Sequence, residues 1–234
     1  MSVTFDFTDR VVIVTGASGA LGSAVAARFA SEGATVCAVD LRNPDAEGSL
    51  LDENAYDSFY QTDLTMEESV EPTIESIAED HGRVDYLCNV AGTWDGGTPI
   101  EDTDLEAFDL LMNVNLKSAF LASKYAIPHL RESEGAIVSV SARASLEGGE
   151  GDGPYRISKA GVRLLTETIA EENRGTVRAN CVMPSVIDTP TNREMMEPKD
   201  EWVDPHDIAD VMLFLCSDAA AVTSGAAVPV YGEA

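Results

Sequence analysis

Basic residues are scarce in this chain of 234 residues, which has 15 Lys and Arg against 41 Asp and Glu. The net charge of -26 repels polyanions, so nucleic acid and an anionic membrane surface are excluded as partners. The acidic residues are spread over ordinary amphipathic segments and do not form a tail, so disorder is not indicated. What remains is a folded protein with a strongly anionic, solvated surface.

Cysteine and histidine are scarce as well. Cys37, Cys88, Cys181 and Cys216 lie apart from one another inside apolar runs, which predicts free thiols in the core of a protein from a reducing compartment. The three histidines do not have the spacing of metal ligands. We therefore expect neither disulfides nor a metal site.

Long hydrophobic runs, a secretory signal and a linker are also absent. No apolar run approaches the length that crosses a bilayer, and the N-terminus lacks the charged and then apolar pattern of a signal peptide. Without a Pro/Gly/Ser-rich break, the simplest organisation is a single domain over residues 1–234. These absences predict a soluble, cytoplasmic protein.

Short β-branched apolar runs alternate with helical patterns along the chain. The pattern predicts strands at residues 10–15, 35–40, around 59, 84–89, 136–141, 176–183 and 227–231. Helices are predicted from residue 21 onward and at residues 66–80, 105–130, 154–173 and 204–217. This alternation predicts an α/β protein: a Rossmann-like, doubly wound parallel sheet of about seven strands with helices on both faces.

A glycine-rich turn follows the first predicted strand and opens the first helix. It comprises Gly16, Ser18, Gly19, Ala20, Leu21 and Gly22, with Ala17 between. Glycines let the backbone approach a pyrophosphate, and the free N–H groups and dipole of the helix face the anion. The strand before the turn and the helix after it are the context that this motif requires.

The second predicted strand ends in Asp40, 18 residues after Gly22. A carboxylate at about this distance binds the 2′-hydroxyl of the adenosine ribose and repels a 2′-phosphate. We therefore expect NAD(H) as the cofactor in preference to NADP(H). Arg42 is interpreted as an exposed loop cation, with a softening of this preference as the alternative.

Tyr155 and Lys159 lie four residues apart in a predicted helix and so present a phenol and an ammonium on the same face. A phenol titrates near pH ~10, and a nearby cation is expected to lower that pKa toward neutrality. The spacing suits acid–base catalysis but also fits an ordinary exposed helix pair, so the decision depends on the surrounding sequence.

With these pieces together, nearly the whole chain resembles the short-chain dehydrogenase/reductase family. The matching segments are Thr15 with the glycine turn, Asp40, Asp63-Leu64, residues 89–92, Asn115 with its neighbours, Tyr155 with Lys159, and residues 184–189. The resemblance implies cofactor contacts from Gly16, Ser18, Gly19, Ala20, Leu21, Gly22, Asp40, Leu41, Asp63, Leu64, Asn89, Ala91, Gly92, Tyr155, Lys159, Pro184, Ile187 and Thr189.

The resemblance also implies roles in catalysis. Tyr155 would be the general acid in carbonyl reduction, Lys159 would bind the nicotinamide ribose, and Asn115 would hold a proton-relay water. Ile187 and Thr189 would fix the carboxamide of the nicotinamide. Trp94, Arg143 and Trp202 are candidate substrate contacts; for Trp94, a packed loop aromatic is the equal alternative. The family also implies a homo-oligomer, a dimer or a tetramer, formed through the helices predicted at residues 105–130 and 154–173.

Three positions depart from the family pattern. Ala20 stands where the middle glycine of the turn is usual, and Ser185 stands where a glycine usually follows the proline. The position 13 residues before Tyr155, where a catalytic serine is usual, holds Ala142. Neighbouring Ser141 can serve only if the strand end bulges or the following loop is altered, because a one-residue shift along a strand reverses the side chain; Ser145 is the other stand-in.

The missing serine is shared with the dihydropteridine reductase branch, which this chain resembles most closely. The shared pieces are residues 19–23, the loop with Trp94, and residues 188–202, which include a short substrate loop at about 190–202. The sequence therefore predicts an NAD(H)-dependent reductase of a carbonyl compound or, alternatively, of a quinonoid dihydropterin. A catalytically silent NAD-binding regulatory or scaffolding protein is the alternative from another class.

The acidic composition resembles that of proteins from salt-loving organisms, so we expect a need for salt.

Overall fold

Seven short strands form one sheet in the computed structural model, which describes residues 5–232. The strands are β1 (Val11–Thr15), β2 (Thr35–Asp40), β3 (Ser58–Gln61), β4 (Tyr86–Asn89), β5 (Ala136–Val140), β6 (Arg178–Pro184) and β7 (Ala227–Val230). Their order is β3-β2-β1-β4-β5-β6-β7, and every neighbouring pair is parallel. The predicted doubly wound sheet of seven strands is confirmed.

Within residues 5–232, seven α-helices connect and cover the strands: α1 (Ala20–Ser31), α2 (Glu67–His81), α3 (Leu105–Leu111), α4 (Ser118–Ser133), α5 (Gly153–Glu172), α6 (Pro190–Met195) and α7 (Pro205–Cys216). One hydrophobic core joins α1 and α7 to one face of the sheet, with Phe29 and Met212 fully buried. A second core joins α2, α4 and α5 to the other face, with Ile74 and Leu130 fully buried. Burial on both faces explains why the central strands are almost continuously apolar.

The single helix predicted over residues 105–130 is wrong in detail. A π-helical turn, Met112–Lys117, interrupts it between α3 and α4, and α4 continues to Ser133. A π turn inserts an extra residue into the helical ladder and is frequent at functional sites. Here it contains the buried Asn115, whose side chain bonds outside its own helix.

The four cysteines are free and buried, as predicted. Burial raises the pKa of the Cys37 and Cys181 thiols to about 12, so neither forms a reactive thiolate at neutral pH. No helix among residues 5–232 is long and apolar enough to cross a membrane.

Strand β1 lies between β2 and β4, and the order of the strands reverses there. One half of the chain adds strands on one side of β1, and the other half adds strands on the other side. This arrangement leaves a crevice beyond the carboxyl ends of the strands. The glycine turn, Asp40, Gly92, Ser141 and Ser185 all follow or end strands at this edge. The sheet therefore collects segments that are far apart in sequence at one place.

Candidate active site

The glycine turn after β1 is built around two glycines that no other residue can replace without movement of the backbone. Gly16 has a φ of +66°, and a Cβ there would lie 2.7 Å from the Cα of Ala91. A Cβ on Gly22 would lie 2.0 Å from the carbonyl oxygen of Gly16. The strand, the turn and α1 therefore approach as closely as their main chains permit, which is the geometry of a cradle for a diphosphate.

The turn is closed by a main-chain hydrogen bond although its glycine spacing is altered. Gly19 caps α1 with a φ of -84°, and its N–H donates to the carbonyl of Gly16 at 3.1 Å. Ala20 becomes the first residue of α1 and adds a methyl group at the start of the helix. The first amides of a helix have no intrahelical acceptor and remain available to an anion. The residues present therefore fit the pyrophosphate of a nicotinamide cofactor.

Gly22→Ala tests this close approach. We expect the variant to lower the free energy of unfolding by about 3 kcal/mol or more, because the new methyl group must displace backbone and not a flexible side chain, and to weaken cofactor binding. Thermal unfolding and dinucleotide titration measure the two effects. Gly148→Ala is the control, since a Cβ at position 148 meets nothing within 4 Å; equal melting temperatures for the two variants would contradict the packing described above.

Asp40 lies at the carboxyl end of β2 and is bonded to the glycine turn. One carboxylate oxygen accepts from the Ser18 amide at 2.9 Å, and the other accepts from the Arg42 amide at 2.8 Å. Ser18 Oγ in turn donates to the Arg42 carbonyl at 2.8 Å. Arg42 donates through Nη1 to the Gly48 carbonyl at 2.7 Å, which holds its guanidinium on the following loop. Leu41, between them, is exposed.

Asp63 and Leu64 follow β3 at the same edge. Asp63 Oδ1 accepts from the Thr65 amide at 2.9 Å and from the Thr65 hydroxyl at 2.7 Å, which closes a tight turn, while the Leu64 side chain is buried. The carboxylate of Asp63 thus has a structural partner, and a cofactor contact by this pair stays a prediction.

The turn after β4 is held by the side chain of Thr15, a residue that matches the family pattern but for which no role was predicted. Thr15 Oγ1 accepts from the amides of Val90 and Ala91, at 3.0 and 3.2 Å, and donates to the Cys88 carbonyl at 3.3 Å. A threonine directly before the glycine turn was the available signal. The Asn89 side chain points into the protein, where its Nδ2 donates to Ser123 and Ser139.

Asn115 clamps the loop that follows Gly92. Its Oδ1 accepts from the Thr93 amide at 2.7 Å, and its Nδ2 donates to the Thr93 carbonyl at 3.0 Å and to Ser158 Oγ at 2.9 Å. Ser158 donates to the Tyr155 carbonyl at 2.8 Å. The side chain therefore ties the Thr93 loop to the helix that carries Tyr155, and its predicted part in holding a relay water stays a prediction.

The structure brings Asn115 and Lys159 together at Gly92. A Cβ on Gly92 would lie 3.1 Å from both Asn115 Oδ1 and Lys159 Nζ. Lys159 itself is only 5% exposed, and its ammonium donates to the Val140 carbonyl at the end of β5, at 2.9 Å. Burial lowers the pKa of Lys159 to about 8. A buried cation thus lies beside Gly92 and the carboxyl end of β5.

Tyr155 is partly buried near the start of α5. Burial and, second to it, the Asp152 carboxylate raise the pKa of the phenol to about 12, while Arg156 opposes them. The expectation that Lys159 lowers the pKa of Tyr155 is therefore wrong for the protein without cofactor. Desolvation dominates, and the ammonium is engaged with Val140. At neutral pH the phenol retains its proton, the state that a general acid requires.

The two serines that could replace the missing catalytic serine already contact other groups of the protein through their hydroxyls. Ser141 Oγ donates to the Lys159 carbonyl at 2.8 Å, and Ser145 Oγ contacts Met183 Sδ at 3.7 Å. Ala142, at the position usual for the catalytic serine, is buried. Ser141 donates its only hydroxyl proton within the protein, so its predicted catalytic role is not favoured by this contact.

The segment after β6 forms the far lip of the crevice. Pro184 ends β6, and Thr189 caps α6 by accepting from the Asn192 amide at 3.1 Å. Asn192 Nδ2 donates to the Ile187 carbonyl at 2.8 Å. These contacts fix Ile187 and Thr189, the residues predicted to hold a carboxamide; α6 lies in the segment predicted as a short substrate loop.

Trp94 is 48% exposed and lies beside the start of α5. A Cβ on Gly96 would lie 3.0 Å from the Trp94 ring and 3.2 Å from Asp152 Cβ, and Gly97 N donates to the Gly151 carbonyl at 2.7 Å. The indole is thus close to the helix turn that presents Tyr155 while keeping a free surface. This position is compatible with both interpretations of Trp94, a substrate contact and a packed loop aromatic.

The other two candidate substrate contacts lie elsewhere on the rim. Arg143 follows β5, and its guanidinium lies over the Tyr231 ring, 4.7 Å from the centroid. Trp202 is partly buried in the segment that leads to α7. Large apolar side chains that are exposed in this part of the protein are Trp94, Ile100, Leu146, Val186, Met195 and Met196.

Comparisons with known proteins agree with this geometry. A family model described as enoyl-(acyl carrier protein) reductase matches residues 16–232. The 3-oxoacyl-(acyl-carrier-protein) reductase FabG of Thermotoga maritima is 30% identical, over 95% of this chain and 96% of its own. Meso-2,3-butanediol dehydrogenase of Serratia marcescens is 33% identical, over 97% and 95%.

Solved structures give the same result. The aldohexose dehydrogenase of Thermoplasma acidophilum superposes with a TM-score of 0.87 at 29% identity, over 97% of this chain and 94% of that one. A short-chain type dehydrogenase/reductase from Mycobacterium ulcerans also has a TM-score of 0.87, at 27% identity, over 96% and 89%. The chain belongs to the short-chain dehydrogenase/reductase family of oxidoreductases, which use a nicotinamide cofactor.

Proposed function

We propose that this protein is an NAD(H)-dependent reductase of a small carbonyl compound, with Tyr155 as the proton donor. The observation that carries the proposal is that Tyr155 and Lys159 lie one helical turn apart on α5, with the buried Lys159 ammonium bonded to the end of β5, at the edge of the sheet that also holds the glycine turn. When bound, the nicotinamide supplies a hydride to the carbonyl carbon. Tyr155 gives its hydroxyl proton to the oxygen, and an alcohol results.

The other residues prepare this transfer. Lys159 holds the nicotinamide ribose and offers positive charge beside the developing phenolate. Asn115 orients the Thr93 loop against α5. Because no serine hydroxyl stands at position 142, more of the stabilisation of the oxyanion has to come from the Tyr155 proton itself.

The preference for NADH rests on Asp40. Its carboxylate is fixed by the amides of Ser18 and Arg42 and cannot easily move away from the ribose position. A 2′-phosphate at that position would meet this negative charge. The cation that could offset it, Arg42, is bonded to the Gly48 carbonyl.

The substrate that suits the rim is uncharged. Arg156 is paired with Asp152 and Arg193 with Asp188, so these two cations are neutralised, and the surface as a whole carries a charge of -26. At low ionic strength an acidic carrier protein or a phosphorylated thioester would be repelled. The exposed apolar side chains favour a compact ketone, and two similar proteins are named for butanediol and aldohexose, which are also compounds of modest size.

A quinonoid dihydropterin is the second candidate substrate. Ala142 favours it, because a polarised imine needs less help from a hydroxyl donor than a ketone does. The free face of Trp94 suits a planar ring.

We further propose a cytoplasmic homo-oligomer, a dimer or a tetramer. Its subunits contact one another through α4 and α5, where Phe120 and Leu164 are exposed.

Turnover of the wild type in molar KCl tests this function. We expect NADH oxidation with small ketones or with quinonoid dihydropterin, and a kcat/KM for NADPH at least about tenfold lower, because the 2′-phosphate meets Asp40. Turnover of the pterin alone would move the protein to the second candidate. Saturable NADH binding without turnover of any carbonyl or pterin would instead favour the silent regulatory protein.

A further inference from the structure

Ser185 has a buried hydroxyl without a hydrogen-bond partner. Among residues 5–232, only three buried side-chain polar atoms are in this position, and the other two belong to Asn89 and Arg163. A buried polar group without a partner loses its bonds to water and gains none in return. Such groups are rare in folded proteins, and one at a functional edge suggests a partner that arrives later.

The main chain places Ser185 at the far lip of the crevice. It follows the last residue of β6, and its N–H donates to the Val230 carbonyl at the end of β7, at 3.2 Å. On the other side of β6, Val182 pairs with Val140, whose carbonyl accepts from Lys159 Nζ. Neighbouring strands are about 4.8 Å apart, so Ser185 directly follows the strand next to β5, whose last carbonyl accepts from the buried ammonium.

The segment around Ser185 is held in place by contacts that do not involve its own side chain. Val203 N donates to the Val186 carbonyl at 2.9 Å, and Asn192 bonds the Ile187 carbonyl. The hydroxyl is therefore not needed for the local fold. It is carried by a fixed backbone two residues before Ile187 and four before Thr189.

We propose that the Ser185 hydroxyl donates a hydrogen bond to the carboxamide of the bound nicotinamide. This inference rests on the proposed NAD(H) function. Ser185 joins Ile187 and Thr189 in orienting the ring, and it supplies a hydroxyl at the reacting end of a site in which Ser141 and Ser145 are already committed. In the protein without cofactor this donor is unsatisfied, and binding of the nicotinamide satisfies it.

Binding measurements with Ser185→Ala separate this role from a structural one. We expect the variant to bind NADH about three- to tenfold more weakly than the wild type, since one hydrogen bond to a neutral acceptor is lost. ADP-ribose, which lacks the nicotinamide, should bind both proteins equally. Without ligand, the variant should melt at the same temperature as the wild type or higher, because an unsatisfied buried hydroxyl has been removed.

Ser217→Ala is the matched control. Its hydroxyl is buried too but donates to the Phe214 carbonyl at 2.7 Å, so its loss should lower the melting temperature and leave the ratio of NADH to ADP-ribose affinity unchanged. If Ser185→Ala bound NADH as the wild type does, or weakened NADH and ADP-ribose alike, the assignment of Ser185 to the carboxamide would be overturned. A wild type that fails to bind NADH at all would overturn the proposed function with it.

Discussion

Tyr155→Phe should reduce kcat for carbonyl reduction by about 10²- to 10⁴-fold, the range that a positioned general acid contributes. The variant keeps the ring and loses only the hydroxyl proton. Among residues 5–232 no hydrogen bond ties that hydroxyl to another residue, so the fold should be unchanged, and the affinity for NADH should fall far less than kcat does. Steady-state kinetics, NADH titration and thermal unfolding measure the three quantities.

Tyr125→Phe is the control for this change. Its hydroxyl donates to Glu67 at 2.7 Å on the surface of α4, away from the crevice, and its removal should leave kcat unaffected. Retention of full activity by Tyr155→Phe would show that the proton reaches the carbonyl by another route. A parallel loss of NADH binding would mean that the phenol has a structural role as well.

Lys159→Met should combine a large loss of activity with a gain in stability. We expect kcat/KM to fall about 10²- to 10³-fold, because the fixed positive charge beside the cofactor and the phenol is lost. Burial already disfavours the ammonium in the folded protein, as its lowered pKa of about 8 indicates. Replacing it with an apolar side chain should therefore raise the free energy of unfolding at neutral pH by about 1–3 kcal/mol.

The pH dependence of unfolding supplies a second test of the same variant. Between pH about 8 and about 10.5, the unfolded chain keeps a proton on Lys159 that the folded protein has released. The contribution of this residue to stability therefore rises with pH across that window. The difference between the unfolding free energies of Lys159→Met and the wild type should shrink from pH 8 upward; a difference that is constant or grows would contradict the lowered pKa.

Much of this site could be predicted because its parts are local in sequence. A strand, a glycine turn and a helix follow one another within residues 11–31, and Tyr155 and Lys159 are one helical turn apart. The alternation of strands and helices then fixes the sheet, since parallel strands need crossovers. Asp40 could be located from its distance to Gly22 for the same reason.

The parts that could not be predicted depend on contacts between distant segments. The π turn at Asn115 accompanies bonds to Thr93 and Ser158, which are 22 and 43 residues away. The raised pKa of Tyr155 follows from burial, which no local spacing reveals. Likewise, Ser141 is one residue from the usual serine position, yet its hydroxyl is bonded to the Lys159 carbonyl 18 residues later.

The most direct measurement is transfer of the label from NADH deuterated at the reactive carbon of its nicotinamide ring. The protein in molar KCl is mixed with this cofactor and a small ketone or quinonoid dihydropterin, and the product is analysed by mass spectrometry. With a ketone, hydride transfer at the site predicts one carbon-bound deuterium in the alcohol. With quinonoid dihydropterin the added hydrogens lie on nitrogen and exchange with water, so the expected result is one tetrahydropterin formed for each NAD+. Both products should form much more slowly with Tyr155→Phe. NADH that binds while neither a deuterated alcohol nor a tetrahydropterin is formed would contradict hydride transfer and identify a cofactor-binding protein without catalysis.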